Sequence, residues 1–114
     1  MAKKVEEIFI CKREDRVATA LRKLDENSRG IVFVVDDKEK LIGAMTDGDI
    51  RRWLIKTGNL EATVGEIMNP NPLFLLKKDS EKAERFMKKN RINAVPLLGS
   101  HGTIKDIRFL LDDE

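Results

Sequence analysis

Slid against itself by 63 residues, so that Gly43 meets Asp106, the chain aligns into two halves with one apolar pattern. At this offset Ala20 meets Ala83, Arg22 meets Arg85, Leu24 meets Met87, Asn27 meets Asn90, Val32 meets Val95 and Asp49 meets Asp112. Identities are few, so the pattern of apolar positions carries the argument. An internal repeat constrains the fold more than any single motif, because each copy must build the same small unit.

The first copy reads strand, helix, strand, strand, helix. Residues 8–11 are a short run of strand formers. Asp15 is placed to cap a helix with Val17, Ala20, Leu21 and Leu24 at helical spacing, and Gly30 or Asn27 to stop it. Residues 31–35 are mostly β-branched and unbroken by polar residues, which predicts a strand buried on both faces. A charged turn over 36–40 leads to a second strand over 41–45, then a helix over 47–57 stopped by Gly58. In the second copy, residues 64–68 predict one helical turn and the two Asn-Pro steps of 69–72 an extended segment. Strands follow over 73–76, 94–98 and 103–110. Between the first two of these lies a helix capped by Asp79 or Ser80. The expected fold is α/β (α+β): two pseudo-symmetric β-α-β-β-α repeats, 1–60 and 61–114, the second lacking its closing helix. Copies of roughly 55 residues are near the lower limit for folding alone. Packing sheet to sheet would bury their open faces and leave a cleft suited to a ligand.

The chain has 114 residues, 22 basic and 20 acidic, for a net charge of +2. This balance argues against a general nucleic-acid binder. No apolar run approaches the roughly 18 residues of a membrane span. The lone Cys11 cannot form an internal disulfide and reads as a packing residue of a cytoplasmic protein. Asp47, Asp49 and the pair Asp36-Asp37 lack calcium-loop spacing, and a single histidine, His101, rules out a zinc set. Cys11 and His101 have no third partner for nucleophilic catalysis. A Walker-type phosphate loop is absent. The basic face of Lys82, Arg85, Lys88, Lys89 and Arg91 is interrupted by Glu81 and Glu84 and reads as solvated.

The segment Thr46-Asp47-Gly48-Asp49 has two compatible readings. One is a capping box, with Thr46 as N-cap and Asp49 three residues on. The other is a ligand clamp: an open helix start suits phosphate, Gly48 permits close approach, Asp49 can accept ribose hydroxyls, and Arg51 and Arg52 can reach a phosphate.

The paired pattern resembles the cystathionine-β-synthase (CBS) domain, which occurs as a tandem pair called a Bateman module. Val32 to Asp36, then Leu41-Ile42-Gly43-Ala44-Met45-Thr46 with Asp49, fit the family's G-h-h-T-x-x-D element. Ile92 to Leu98 is similar to its central strand, and Ile67 to Pro72 to the start of its second domain. The stretch from Thr46 to Arg52 is similar to pairs fused to sugar-phosphate nucleotidyltransferases, sialic-acid-type synthases and arabinose-5-phosphate isomerases. The resemblance implies a regulatory module, not an enzyme, that binds AMP, ADP, ATP or S-adenosylmethionine. A homodimer is implied, with a catalytic domain fused or in trans. Thr46, Asp47, Gly48, Asp49, Arg51 and Arg52 would hold ribose and phosphate, with Ile31, Val32 and Phe33 walling the base. The second site keeps Asn93, Val95, Pro96 and Asp112, but Asp106 replaces the glycine and Phe109 the threonine, so it is expected to be degenerate. A ligand-free assembly module is the alternative, joined through a face with Ile50, Trp53, Leu54, Phe86 and Met87.

Overall fold

The structure is a computed structural model that describes residues 5–110. Two compact units divide it, one spanning Glu6–Pro72 and the other beginning at Leu73. This division falls later than the repeat boundary expected after residue 60. The reason is packing: Ala62 and Val64 are buried in the first unit's core, and Val17 and Ala62, and Val64 and Asp15, are joined by backbone hydrogen bonds.

In the first unit a 3-10 turn, Glu7–Phe9, precedes strand β1, Ile10–Lys12. The apolar run of 8–11 is thus only half strand. Helix α1, Val17–Asn27, buries Val17, Ala20, Leu24 and Asn27, one stripe at helical spacing. Its N-cap is Arg16, with no side-chain cap, because Asp15 instead accepts the Lys12 N–H at 2.8 Å. The left-handed stop is Ser28, with φ 56°. Strand β2, Ile31–Val35, lies in the middle, parallel to β1 and antiparallel to β3, Leu41–Thr46. Val32 and Val34 join Cys11, Ala20, Leu24, Met45 and Ile50 in the core on one face of the sheet. Phe33 is equally buried on the opposite face, so β2 is covered on both sides, as its unbroken apolar run requires. Helix α2, Asp47–Thr57, ends at Gly58 in the left-handed conformation. The single turn α3 is Val64–Ile67.

The second unit has β4, Leu75–Leu76, helix α4, Ala83–Asn90, β5, Ala94–Leu98, and β6, Ile104–Phe109, in sheet order β4-β5-β6. The 63-residue offset recurs in its backbone. Val34 pairs with Gly43 and Leu97 with Asp106, and a bulge follows each pair. Ser28 and Arg91 are the matching left-handed helix stops. Asp36 N–H to Lys40 O matches Gly99 N–H to Thr103 O, and Asp47 N–H to Gly30 O matches Leu110 N–H to Asn93 O.

The copies differ where sequence chemistry demands it. The helical first turn of α1 is replaced before α4 by a 3-10 segment, Lys77–Lys82, in which Asp79 leaves helical geometry. Neither Asp79 nor Ser80 caps α4; its N-cap is Lys82. Pro96 stands where Phe33 stands. Ala44 N–H points away from β2, to Asn69 O, so the Phe33 N–H faces β1. A proline there has no N–H to give, and the β4–β5 ladder accordingly starts one residue later on β5, at Leu97, which pairs with Leu75.

Candidate functional site

β3 delivers the site residues. Thr46 ends the strand beside Ile31, its register partner, and α2 starts at the next residue. The capping box is complete. The Asp49 N–H donates to Thr46 Oγ1 at 3.1 Å, and the Thr46 N–H donates to Asp49 Oδ2 at 2.9 Å. Arg52 folds back along the helix, and its Nη2 donates to Asp49 Oδ1 at 2.8 Å. Its guanidinium lies over Gly48, where an added Cβ would stand 3.4 Å from Nη1. Thr46, Gly48, Asp49 and Arg52 are therefore one cluster on the first turn.

The other residues expected there are placed differently. Asp47 is exposed and lines a hollow of about 580 Å³ with Leu21, Leu24, Asp25, Ser28, Arg29 and Gly30. Arg51 is exposed on the next face of the helix. Val32 offers no wall: its side chain is fully buried in the core beneath the helices. Ile31 is half-buried, and Phe33 shares its face of the sheet. In the second unit Asn93 is exposed, Pro96 is buried, and Val95 is enclosed with Ala83 and Met87. Asp112 lies outside the described residues.

Asn27, a residue not expected at the site from sequence, organises its approach. It is buried, donates through Nδ2 to Ile8 O at 2.8 Å and Ile31 O at 3.1 Å, and accepts the Arg29 N–H at 2.8 Å. The bend 28–30 is thereby tied to the start of β2. A polar residue on the inward stripe of α1 was the available signal.

The glycine of G-h-h-T has a structural reason. A Cβ on Gly43 would lie 2.5 Å from Met68 Sδ and 3.1 Å from Asn69 O. Residues 68–69 run along β3 there, with Ala44 and Asn69 exchanging bonds of 3.1 and 2.8 Å. At the matching place on β6, the Ile107 N–H is taken by Asp106 Oδ1 at 2.8 Å. An aspartate fits an edge whose amide it satisfies itself; it has no room where another segment packs.

The assembly face expected from sequence is not an open patch. Ile50 and Met87 are buried in their own cores, and Trp53, Leu54 and Phe86 pack against those cores. Trp53 Nε1 also donates to Asn59 O at 3.0 Å. The exposed large apolar residues of the first unit are Leu21, Ile55 and Leu60. Among the described residues no group of three or more His, Cys, Asp or Glu is arranged to hold a metal, and none of their helices is long and apolar enough to cross a membrane.

The repeat, the G-h-h-T-x-x-D element and the two three-stranded sheets define the class, and the comparisons agree. The family model for the CBS domain matches residues 2–56. The CBS domain pair of protein MJ0100, in complex with 5′-methylthioadenosine and S-adenosyl-L-methionine, has a TM-score of 0.73 at 20% identity, over 89% of this chain and 83% of that one. The CBS domain protein PAE2072 from Pyrobaculum aerophilum, complexed with AMP, has a TM-score of 0.69 at 16% identity, over 88% of this chain and 78% of that one. The chain belongs to the CBS domain family and has the fold of a CBS pair. Among curated relatives, arabinose 5-phosphate isomerase GutQ of Salmonella typhi is 34% identical over 89 residues, which is 77% of this chain and 28% of the relative. The chain thus spans less than a third of the relative it matches.

Proposed function

We propose that the chain is a regulatory module, without catalysis of its own, that binds an adenosine-containing ligand at the start of α2 and modulates a sugar-phosphate enzyme, fused or in trans. The observation that carries this reading is the cluster of half-buried Thr46, Gly48 and Asp49 with exposed Arg52 at the start of α2. The turn presents a carboxylate, a helix start whose Gly48 carries no side chain of its own, and the Arg52 guanidinium lying over that glycine. These are the groups that a ribose and a phosphate need. The AMP and S-adenosyl-L-methionine complexes of structural neighbours support the ligand class. The isomerase relatives favour an arabinose-5-phosphate isomerase over a nucleotidyltransferase as the enzyme regulated.

Thermal stability measured with AMP, ATP, S-adenosylmethionine and CMP tests the ligand. One adenosine compound at a hundredfold its Kd should raise stability by about 2.7 kcal/mol. Asp49→Ala should lose most of that increment. It also loses a cap worth about 1 kcal/mol, so the ligand-induced increment is compared, not the bare melting temperature. No increment from any adenosine compound at millimolar concentration would overturn the reading.

A further inference from the structure

We propose that α1 of one copy docks on α4 of a second copy, an acidic helix face against a basic one. At the 63-residue offset the two helices hold the same place in their repeats and carry opposite charges. Glu14 and Asp15 stand where Lys77 and Lys78 stand, and Asp25 and Glu26 where Lys88 and Lys89 stand. All of these except Asp15 are exposed. The same repeat is built with either sign, so the fold requires neither.

The acids also work against their own helix. α1 carries Asp25 and Glu26 close to its C-terminus and has no basic residue in its last turn, where the helix dipole favours cations. α4 has Lys88 and Lys89 there. Nothing within the chain compensates: among the described residues, the side chains of Glu14, Asp25 and Glu26 join no ion pair. Of the four matching lysines only Lys88 joins one, with Glu84 at 3.2 Å. Each face finds its complement on the other helix of a second copy. Two α1 faces, or two α4 faces, would set like charges together, which is costly. The acidic face also has a seat for a lysine. The hollow beside α1 has Leu21 and Leu24 in its lining, Asp25 and Asp47 as its acids and Arg29 as its one cation. A lysine lays its methylenes on such leucines and turns its ammonium to the carboxylates.

Sedimentation velocity of the full chain at about 20 mM and about 500 mM salt tests the contact, because the screening length falls from roughly 20 Å to about 4 Å between them. The unaltered chain should self-associate at low salt, and added salt should weaken it. Asp25→Lys with Glu26→Lys, and separately Lys88→Glu with Lys89→Glu, should each weaken self-association by about tenfold or more, and an equal mixture of the two variants should restore it. Asp25→Asn with Glu26→Gln should weaken it too, whereas a contact between two α1 faces would be strengthened by that change and by salt. An unaltered chain that stays monomeric at millimolar concentration, association that salt or neutralisation strengthens, or a mixture no better than its members would each overturn the proposal. The ligand reading stands or falls apart from it. Melting curves guard against misfolding: Asp25→Lys with Glu26→Lys relieves the helix dipole and should melt no lower than the unaltered chain.

Discussion

Gly43→Ala separates what the family's glycine does for the fold from what the site does for a ligand. The added methyl would overlap Met68 Sδ at 2.5 Å and press on Met68 Cγ and Asn69 O at 3.1 Å. The sulfur sits on a flexible side chain and can move. The carbonyl cannot move freely, because Asn69 exchanges two backbone bonds with Ala44. Overpacking of this kind costs about 1–3 kcal/mol. Loss of glycine's unfolded-state freedom offsets about 0.4–1 kcal/mol of it where the backbone suits alanine, as the β3 strand does. The net expectation is a destabilisation of about 1–2 kcal/mol, at about 4–8 °C per kcal/mol for a unit of this size. Urea unfolding followed by Trp53 fluorescence reads it, since the only tryptophan lies in the affected unit. Met68→Ala removes the two side-chain contacts and leaves the carbonyl. The double variant should therefore be more stable than the sum of the singles implies, by about 0.5 kcal/mol or more. A neutral Gly43→Ala, or strictly additive losses, would refute the argument that residues 68–69 are what the glycine makes room for.

Two further predictions concern titratable groups. Burial pushes the Cys11 thiol up to about 11 and leaves it 1% exposed. A thiol reagent at pH 8 should then find it inert in the folded chain and label it fully in denaturant; fast labelling of the native protein would contradict its place under α1. The Lys40 and Lys38 amides hold the Asp36 carboxyl below its ordinary value of 3.8, and the Thr63 amide and hydroxyl hold Glu66 below 4.5. Both pKa values are lowered by folding, so their stabilisation is present above the ordinary values and is lost as pH falls through the lower folded ones. Melting temperatures from pH 5 to 2 should fall, and Asp36→Asn with Glu66→Gln should flatten the slope; an unchanged slope would show that these bonds do not contribute.

Elements set by side-chain periodicity were legible in the sequence. The stripe of α1 at Val17, Ala20 and Leu24, the apolar run of β2, and α2 with its Thr46 cap and Gly58 stop follow from local pattern and hold in the structure, whereas Leu21, expected on that stripe, is exposed. Local alternatives of similar energy were not legible. Asp15 had two amides within reach and took that of Lys12 rather than capping α1. The helix stop fell on Ser28, although Asn27 and Gly30 are better suited to it, because Asn27 was needed inside to hold Ile8 and Ile31. The Asn27 choice depends on a neighbour 19 residues away, and no window of local sequence contains it. The site divides similarly. Thr46, Gly48, Asp49 and Arg52 lie within two helical turns, so their clustering follows from spacing, whereas the enclosure of Val32 depended on which face of β2 the helices cover.

The repeat supplies its own control for what is structural and what is not. Both copies keep the left-handed stops at Ser28 and Arg91, the hairpin closures at Asp36 and Gly99, and the bonds from Asp47 to Gly30 and from Leu110 to Asn93. The fold therefore needs these, and they carry no information about a ligand. Phe109 takes the place of Thr46 in an intact β6 that pairs with Ala94 as Thr46 pairs with Ile31. A hydroxyl at the strand end is thus not required to build the sheet. Gly43 drops out for a different reason, because its absence from β6 follows from packing alone. What remains in the first copy beyond the demands of the sheet is small: the Thr46 hydroxyl, which also caps α2, and Arg52 held on Asp49 over Gly48. That remainder is where selection by a ligand, rather than by folding, has the most room to act.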